Sequence, residues 1–299
     1  MDRCIEGGVM LDFTYLRPGS LAEACAVAGR LGVEAAFIAG GTELIPDYYR
    51  ERETARHLIA LDHLGELRGI VVEEGTLRIG ALTTVAEVAA SGLVRERLVA
   101  LADAARAIGS AQIRNVATIG GNFCRAVACA DTPPAAIAGQ ARVRLVGPLG
   151  SREINAEEFF LGPRRTVLVA GEVLVEITVP SQPECSGSSY QRFSRRKGAA
   201  LAVAAVAARV TLAGGRIGGA RLALGAVAPV PLLAVRAAAM LEGERPTSAL
   251  FARAAAVCAE EALPIADVRG SAEFRRELVN VLARRALDEA GARAQAVRP

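Results

Sequence analysis

The chain has 299 residues, of which 52% are hydrophobic and 22% are charged, and its formal net charge is +3. A chain of this length can bury a large core and is expected to form more than one domain. The small net charge, the absence of Trp and an aromatic content of 4% argue against a nucleic-acid partner.

No stretch of the sequence has the length and apolarity of a membrane span. The longest apolar run, residues 199–208, is far short of the roughly 20 residues that cross a bilayer. The first six residues carry acidic side chains and lack the apolar run of a signal peptide. We therefore expect a cytoplasmic protein without membrane insertion.

The first predicted elements form a small lobe of βαβ type, residues 1–64. Ser20 and Glu23 have the spacing of a capping box, and apolar residues recur at helical spacing from Leu21 to Leu31. Further along, the pattern predicts a buried strand at residues 35–39, a helix from Glu43 to about Arg52, and a second strand at residues 57–61.

A second lobe is predicted over residues 65–182. Two short alternating runs around Glu74-Gly75 indicate a hairpin, and Thr84 with Glu87 caps the helix that follows. A longer helix is predicted from Leu93 to about Ile108. Residues 141–146 and 172–180 alternate in polarity and are expected to be strands, the second ended by Pro180.

The last third is predicted to be an α+β domain with a three-stranded antiparallel sheet. Residues 181–189 are rich in Ser, Pro and Gly and mark the domain boundary. Strands are expected at residues 190–194, 201–212 and 219–225, with Gly214-Gly215 in a hairpin, and helices from about Leu232, Ser248 and Ser271. The basic cluster at residues 195–197 is expected to be solvated, or else to meet a cofactor or partner subunit.

Cysteines and histidines give no sign of a metal or catalytic centre. The six cysteines lack C-x-x-C spacing, so a disulfide framework is not expected. Cys124 and Cys129 are the only close pair, too few thiols for an iron–sulfur cluster, and small buried thiols are the favoured interpretation. The two histidines lack metal-ligand spacing. No catalytic residue is predicted.

Two glycine pairs carry the functional prediction. Gly40-Gly41 is followed by Thr42, and Gly120-Gly121 follows Thr118 closely. Without a Cβ, such corners can reach φ > 0 and bring successive N–H groups against an anion. Two such corners suggest the diphosphate of a dinucleotide. Neither fits the Rossmann or Walker pattern, so a different fold is required.

Three motifs resemble those of a known family. They are Phe37-Ile38-Ala39-Gly40-Gly41-Thr42-Glu43-Leu44, Thr118-Ile119-Gly120-Gly121-Asn122 and Ala130-Asp131-Thr132-Pro133-Pro134-Ala135. Together they resemble the FAD-binding (medium) subunit of molybdenum hydroxylases, the xanthine dehydrogenase and carbon monoxide dehydrogenase family. The resemblance covers essentially the whole chain and identifies the cofactor and the type of subunit better than the substrate.

The resemblance implies a two-lobed FAD-binding domain of the PCMH (vanillyl-alcohol oxidase-like) type over residues 1–182. A carbon monoxide dehydrogenase flavoprotein-like C-terminal domain follows over residues 187–299. Asp131 either caps the helix after it or contacts the cofactor. The implied FAD-binding residues are Phe37, Ile38, Ala39, Gly40, Gly41, Thr42, Glu43, Leu44, Ile108, Ala117, Thr118, Ile119, Gly120, Gly121, Asn122, Asp131 and Leu174.

The family's division of labour implies an electron-transfer role. Molybdopterin is expected on a separate large subunit and two [2Fe–2S] clusters on a separate small subunit, with electrons leaving FAD for an acceptor such as NAD or a quinone. Two alternatives remain open. One is a standalone FAD-dependent oxidoreductase of the vanillyl-alcohol oxidase type, and the other is a flavin-free scaffold subunit.

Overall fold

The structure, a computed structural model, describes residues 13–296. The first six residues, on which the absence of a signal peptide was predicted, and Cys4 lie outside the described residues.

The described chain mixes helices and strands throughout. The strands are β1 Thr14–Leu16, β2 Ala35–Ile38, β3 His57–Ala60, β4 Ile70–Glu73, β5 Thr76–Gly80, β6 Arg142–Gly147, β7 Gly150–Asn155, β8 Phe160–Gly162, β9 Arg165–Thr166, β10 Val173–Val179, β11 Ser186–Ser194, β12 Ala202–Ala213, β13 Arg216–Gly225 and β14 Leu232–Leu233. The α-helices are α1 Leu21–Leu31, α2 Leu44–Tyr49, α3 Val85–Ala90, α4 Gly92–Arg97, α5 Val99–Ala107, α6 Ala111–Val116, α7 Ile119–Cys124, α8 Thr132–Ala138, α9 Val235–Ala239, α10 Ser248–Glu261 and α11 Ala272–Ala296.

The first lobe is a three-stranded parallel sheet in the order β1-β3-β2, with α1 against it, as the βαβ prediction requires. The cap of α1 differs from the predicted capping box in one bond. The Glu23 N–H does donate to Ser20 Oγ at 3.2 Å, but the Glu23 carboxylate accepts from the Gly19 N–H at 2.7 Å rather than from Ser20. The start of the helix is nevertheless where the pattern placed it.

The second lobe is a five-stranded antiparallel sheet in the order β4-β5-β10-β6-β7, with helices packed on it. Thr84 and Glu87 form the complete capping box that the sequence predicted. The predicted helix from Leu93 to Ile108 is instead two helices, α4 and α5, because the Leu98 backbone, with φ −155° and ψ 82°, is not helical. Its side chain is buried and lies where a Cβ on Gly139 would meet it at 2.4 Å.

The third sheet has four antiparallel strands, β11-β12-β13-β14, where three were predicted. The extra strand β14 occupies the place where a helix was expected to begin, and β11 starts at Ser186 inside the predicted linker. Small residues suit this strand because it lies close to α11. A Cβ on Gly187 would stand 2.2 Å from Ala290 O. The predicted hairpin at Gly214-Gly215 is present, with φ +56° and +75°.

The central strand β12 is buried on both faces, which explains its nearly unbroken apolar sequence. One face, with Ala205 and Ala207, packs into the core of the second lobe. The other face, with Val206 and Ala208, packs against the C-terminal helices. The strand therefore joins two hydrophobic cores. The basic cluster at residues 195–197, at the end of this sheet, is exposed as expected.

Candidate functional site

A cavity of about 400 Å³ lies between the first and second lobes. Its walls come from the chain after β2, from the start of α7, and from strand β10. Fifteen of the seventeen residues predicted to bind a cofactor line it, all except Ile119 and Asp131. The fold thus brings together segments that are more than a hundred residues apart in sequence.

The loop after β2 offers a run of backbone N–H groups. The amides of Gly40, Gly41, Thr42 and Glu43 donate to no acceptor among residues 13–296. Gly41 has φ +66°, the left-handed conformation that a glycine adopts readily. Successive unpaired amides of this kind suit the oxygens of a phosphate. The predicted anion-binding corner is therefore supported at this glycine pair.

Helix α2, which follows this loop, is shorter than the predicted span from Glu43 to Arg52. It has six residues and ends at Tyr49, and Glu51 just beyond it has φ +54°. A helix of this length adds little to the field at its N-terminus. The loop amides themselves, rather than the helix, make this wall of the cavity attractive to an anion.

The second glycine pair does not form the loop that the sequence predicted. Gly120 and Gly121 lie inside α7, and neither has a positive φ. Their amides are already bonded, that of Gly120 to Ala81 O at 2.8 Å and that of Gly121 to Thr118 Oγ1 at 3.1 Å. These two N–H groups are therefore not available to a diphosphate, and the prediction was wrong on this point.

Close packing explains why glycine stands at these positions. A Cβ on Gly120 would be 2.6 Å from the Cβ of Ala81, so α7 can approach the end of β5 only without one. A Cβ on Gly40 would be 2.0 Å from Val116 O. Gly40 therefore rests directly on the chain that enters α7. The two glycine pairs lie at the same cavity, as the sequence suggested.

Polar side chains add hydrogen-bonding groups to the cavity wall. Asn122 accepts at Oδ1 from the Thr132 hydroxyl at 2.6 Å, and its amide nitrogen has no partner among the described residues. The Thr42 hydroxyl is likewise unpaired within residues 13–296. Thr118 Oγ1 caps α7, so its acceptor role is taken by the protein. Of the predicted residues Thr42, Thr118 and Asn122, the first and the last thus keep side-chain groups able to bond a ligand.

Two arginines at the cavity were not predicted. Arg125 and Arg164 line it, and both contact the carboxylate of Asp47, which is 2% exposed. Burial alone would raise the pKa of Asp47, but the hydrogen bond from Arg125 and the nearby guanidinium charges outweigh it and lower that pKa. The one signal in the sequence was the spacing of Glu43 and Asp47, which places both acids on one helix face.

Asp131 and Ile119 lie outside the cavity lining for different reasons. Ile119 is fully buried in the core of the second lobe. Asp131 makes no cap bond through its side chain; instead its carboxylate accepts from Tyr190 Oη at 2.6 Å and from Arg192 Nη1 at 2.9 Å. Burial raises the pKa of Asp131, against the opposing charge of Arg192. The Asp131 side chain therefore links the start of α8 to strand β11 of the C-terminal sheet.

The remaining wall of the cavity is apolar. Ile108 and Leu174, two of the implied FAD-binding residues, both line it, together with Leu82 and Leu168. Cys124 also lines the cavity and is exposed there, whereas buried thiols were expected. No group of metal-ligating side chains occurs among residues 13–296.

These features fit FAD. A run of unpaired amides suits its diphosphate, unpaired Thr and Asn groups suit hydroxyls, and the apolar wall suits a ring system. A cavity with these parts can hold and orient such a cofactor.

Comparison with known proteins agrees with this. Residues 11–182 match the family described as FAD binding domain in molybdopterin dehydrogenase, and residues 188–290 match the CO dehydrogenase flavoprotein C-terminal domain. The chain is 36% identical to the carbon monoxide dehydrogenase medium chain of Hydrogenophaga pseudoflava, covering 94% of this chain and 98% of that one. It is 31% identical to a putative xanthine dehydrogenase FAD-binding subunit of Escherichia coli strain K12, covering 95% and 98%.

A solved structure of carbon monoxide dehydrogenase from Hydrogenophaga pseudoflava, lacking the Mo-pyranopterin moiety of its cofactor, superposes with a TM-score of 0.91. It is 37% identical and covers 94% of this chain and 98% of its own. Within the described residues, no helix is long and apolar enough to cross a membrane. Because both family matches and these relatives span almost the entire sequence, the chain belongs to the family of FAD-binding (medium) subunits of molybdenum hydroxylases.

Proposed function

We propose that this chain holds FAD in the cavity between its first two lobes and transfers electrons within a molybdenum hydroxylase. Electrons would arrive from [2Fe–2S] clusters on a partner small subunit and leave for an external acceptor, NAD or a quinone. The observation that carries the proposal is the run of unpaired amides at Gly40–Glu43 facing the same cavity as the apolar wall.

Each part of the cavity has a proposed role toward the cofactor. The amides of residues 40–43 bind the diphosphate, and Thr42 and Asn122 donate to its sugar hydroxyls or phosphates. Ile108 and Leu174 cover the ring system and exclude water from it. When bound, FAD supplies the redox chemistry, and the residues of this chain bind it, orient it and tune the electronic properties of the flavin. Ile119 and Asp131 do not contact the cofactor but support the site through the packing of α7 and α8.

The proposal assigns the other cofactors to partner subunits. A large subunit would carry molybdopterin and the substrate pocket, and a small subunit would carry the two iron–sulfur clusters. The matched relatives include chains named as medium chains or FAD-binding subunits, which supports such an assembly for this chain. We propose the cytoplasm as its compartment, and residues 1–182 and 187–299 as its two domains.

The first test is uptake of the cofactor by the purified chain. We expect the protein to bind one FAD per chain, with a flavin absorption spectrum that survives gel filtration. Gly40→Ala should lose this spectrum, since its new Cβ would meet Val116 O at 2.0 Å and displace the amide run. Gly65→Ala is the matched control, because a Cβ there meets nothing within 4 Å.

The second test concerns the assembly. The native complex is isolated through a tag on this chain and analysed for molybdenum and iron. Both metals should copurify, and the bound flavin should be reduced when the substrate of the large subunit is added. A colourless chain that takes up no added FAD would contradict the cofactor assignment and favour the scaffold alternative. Turnover of a substrate by the isolated chain would favour the standalone oxidoreductase.

A further inference from the structure

Two arginines on the cavity wall share one buried carboxylate. Arg125 Nη2 forms an ion pair with Asp47 Oδ2, and Arg164 Nη1 lies 3.2 Å from the same oxygen. Both arginines line the cavity, whereas Asp47 lies behind them. The second oxygen of Asp47, Oδ1, is buried and has no hydrogen-bond partner among the described residues. Among the described residues, the hydrogen bonds and ion pairs of the Asp47 carboxylate therefore go to these two guanidinium groups.

Three separate segments build this cluster. Asp47 is on α2, Arg125 follows the last turn of α7, and Arg164 lies in the turn between β8 and β9. Arg164 has φ +58°, and its N–H donates to Ala126 O at 2.7 Å, which ties that turn to the chain just after Arg125. Residues from so many places do not meet by local sequence preference, so the cluster is a property of the tertiary fold.

The cluster lies beside the unpaired amides. Arg125 Nε is 3.2 Å from Glu43 Oε2, and Glu43 is the last residue of the amide run. The Glu43 side chain is 59% exposed, so water screens its charge, whereas the Arg125 side chain is only 17% exposed. The formal charges of the two guanidinium groups and of the Asp47 and Glu43 carboxylates cancel, but the exposed Glu43 carboxylate is the one that water screens most. The guanidinium groups that line the cavity offer N–H donors to the phosphate oxygens of a ligand.

We propose that Arg125 and Arg164, positioned by Asp47, bind the diphosphate of FAD together with the amides of residues 40–43. The planar guanidinium groups can each donate two parallel hydrogen bonds to phosphate oxygens. The cluster then makes the site selective for FAD over flavins that lack a diphosphate. This inference rests on the proposed function, since it adds a selectivity element to the same cavity.

The test compares FAD with riboflavin, which lacks the diphosphate and the adenosine attached to it. The apoprotein is titrated with FAD and, separately, with riboflavin, following flavin fluorescence. In Arg125→Gln and in Arg164→Gln, the dissociation constant for FAD should rise roughly 10- to 100-fold, the range expected for a lost hydrogen bond to a charged group. The dissociation constant for riboflavin should stay within about threefold, because riboflavin has no group for the arginines to bind.

A control arginine and a positioning variant complete the design. Arg78→Gln removes an arginine that is paired with Glu176 on the five-stranded sheet and does not line the cavity, and both dissociation constants should remain as in the wild type. Asp47→Asn keeps the size of the side chain but releases both arginines. We expect it to lower the selectivity for FAD over riboflavin, whereas a purely structural defect would weaken both ligands equally.

The outcomes separate this inference from the proposed function. If the wild type binds FAD and both arginine variants retain its affinity, or lose affinity for riboflavin to the same extent, the arginines do not bind the diphosphate and the inference is wrong. If the wild type binds no FAD at all, the proposed function itself fails. Arg164→Gln guards against misfolding, because the Arg164 side chain is 44% exposed and its loss leaves the Arg125–Asp47 pair intact.

Discussion

Gly120 and Gly121 are neighbours in one helix, yet they have different surroundings. Gly120 is buried, and a Cβ there would stand 2.6 Å from Ala81 Cβ and 2.8 Å from Ala81 O. Gly121 is exposed at the cavity, and its nearest obstacle is the Thr118 hydroxyl at 2.9 Å, a side chain that can rotate. Only the first position meets fixed backbone. The requirement for glycine is therefore steric at Gly120 and weak at Gly121.

Substitution by alanine should distinguish the steric requirement at Gly120 from the weak requirement at Gly121. Gly120→Ala should lower the free energy of unfolding by about 1–3 kcal/mol, since it forces α7 away from the end of β5. Gly121→Ala should have a smaller effect, because the preference of a helix for alanine offsets part of any loss of the Thr118 cap. Urea denaturation of both variants and the wild type measures this, and equal destabilisation would contradict the steric explanation.

Several residues could not have been found from sequence patterns. No motif in the sequence marks Arg125 or Arg164, and only the fold brings them to the buried Asp47. The glycine pairs could be found, because few residues other than glycine tolerate φ > 0 or leave room for a backbone in direct contact. The sequence does not show which of these two reasons applies at each glycine. Which amides remain unpaired depends on contacts with distant Ala81 and Thr83. Most residues predicted from the sequence thus line one cavity, whereas the two arginines at that cavity were not predicted.

Among the elements, β12 shows how the C-terminal sheet is held to the rest of the molecule. Its small residues Ala205 and Ala207 are fully packed against the core of the second lobe. The alternating faces of a strand present these alanines to one core and Val206, which lies between them, to the other. The prediction of a strand here was confirmed, since a long apolar run is typical of a strand buried on both sides.

A larger side chain on the inner face of β12 should force the sheet and the second lobe apart. Ala207→Leu is expected to lower the free energy of unfolding by about 1–3 kcal/mol, because the added carbons have no space between the layers. Ala213→Leu is the control on the same strand, where the residue is exposed, and it should change stability by less than about 0.5 kcal/mol. The measurement is urea unfolding followed by circular dichroism, and a neutral Ala207→Leu would show that the layers are loosely packed.

Helix ends and strand starts were the least predictable features at this scale. The break at Leu98 cannot be read from periodicity, because the apolar spacing continues through it, and the Leu98 side chain packs closely against Gly139. The Ser- and Gly-rich start of β11 had the composition of a linker, and its closeness to α11 requires small residues there. In both cases packing outweighed local preference.

At the scale of the whole molecule, a buried ion pair joins the flavin-binding half to the C-terminal sheet. The Asp131 carboxylate, at the start of α8, accepts from Tyr190 and Arg192, both on β11. The Arg192 guanidinium also donates to Ala200 O at 3.0 Å, and side-chain exposure is 11% for Arg192 and 7% for Asp131. Breaking such a pair leaves an uncompensated charge in the interior.

Asp131→Asn should therefore destabilise the protein without removing its cofactor. We expect a loss of about 3–5 kcal/mol in the free energy of unfolding, because Arg192 is left buried without its carboxylate. Tyr190→Phe removes only a hydrogen bond to the same carboxylate and should lose about 1–3 kcal/mol. Affinity for FAD, measured by fluorescence titration well below the unfolding transition, should stay within about threefold of the wild type, since Asp131 does not line the cavity. The opposite pattern, full stability with lost FAD, would show that Asp131 contacts the cofactor directly, as the family resemblance first suggested.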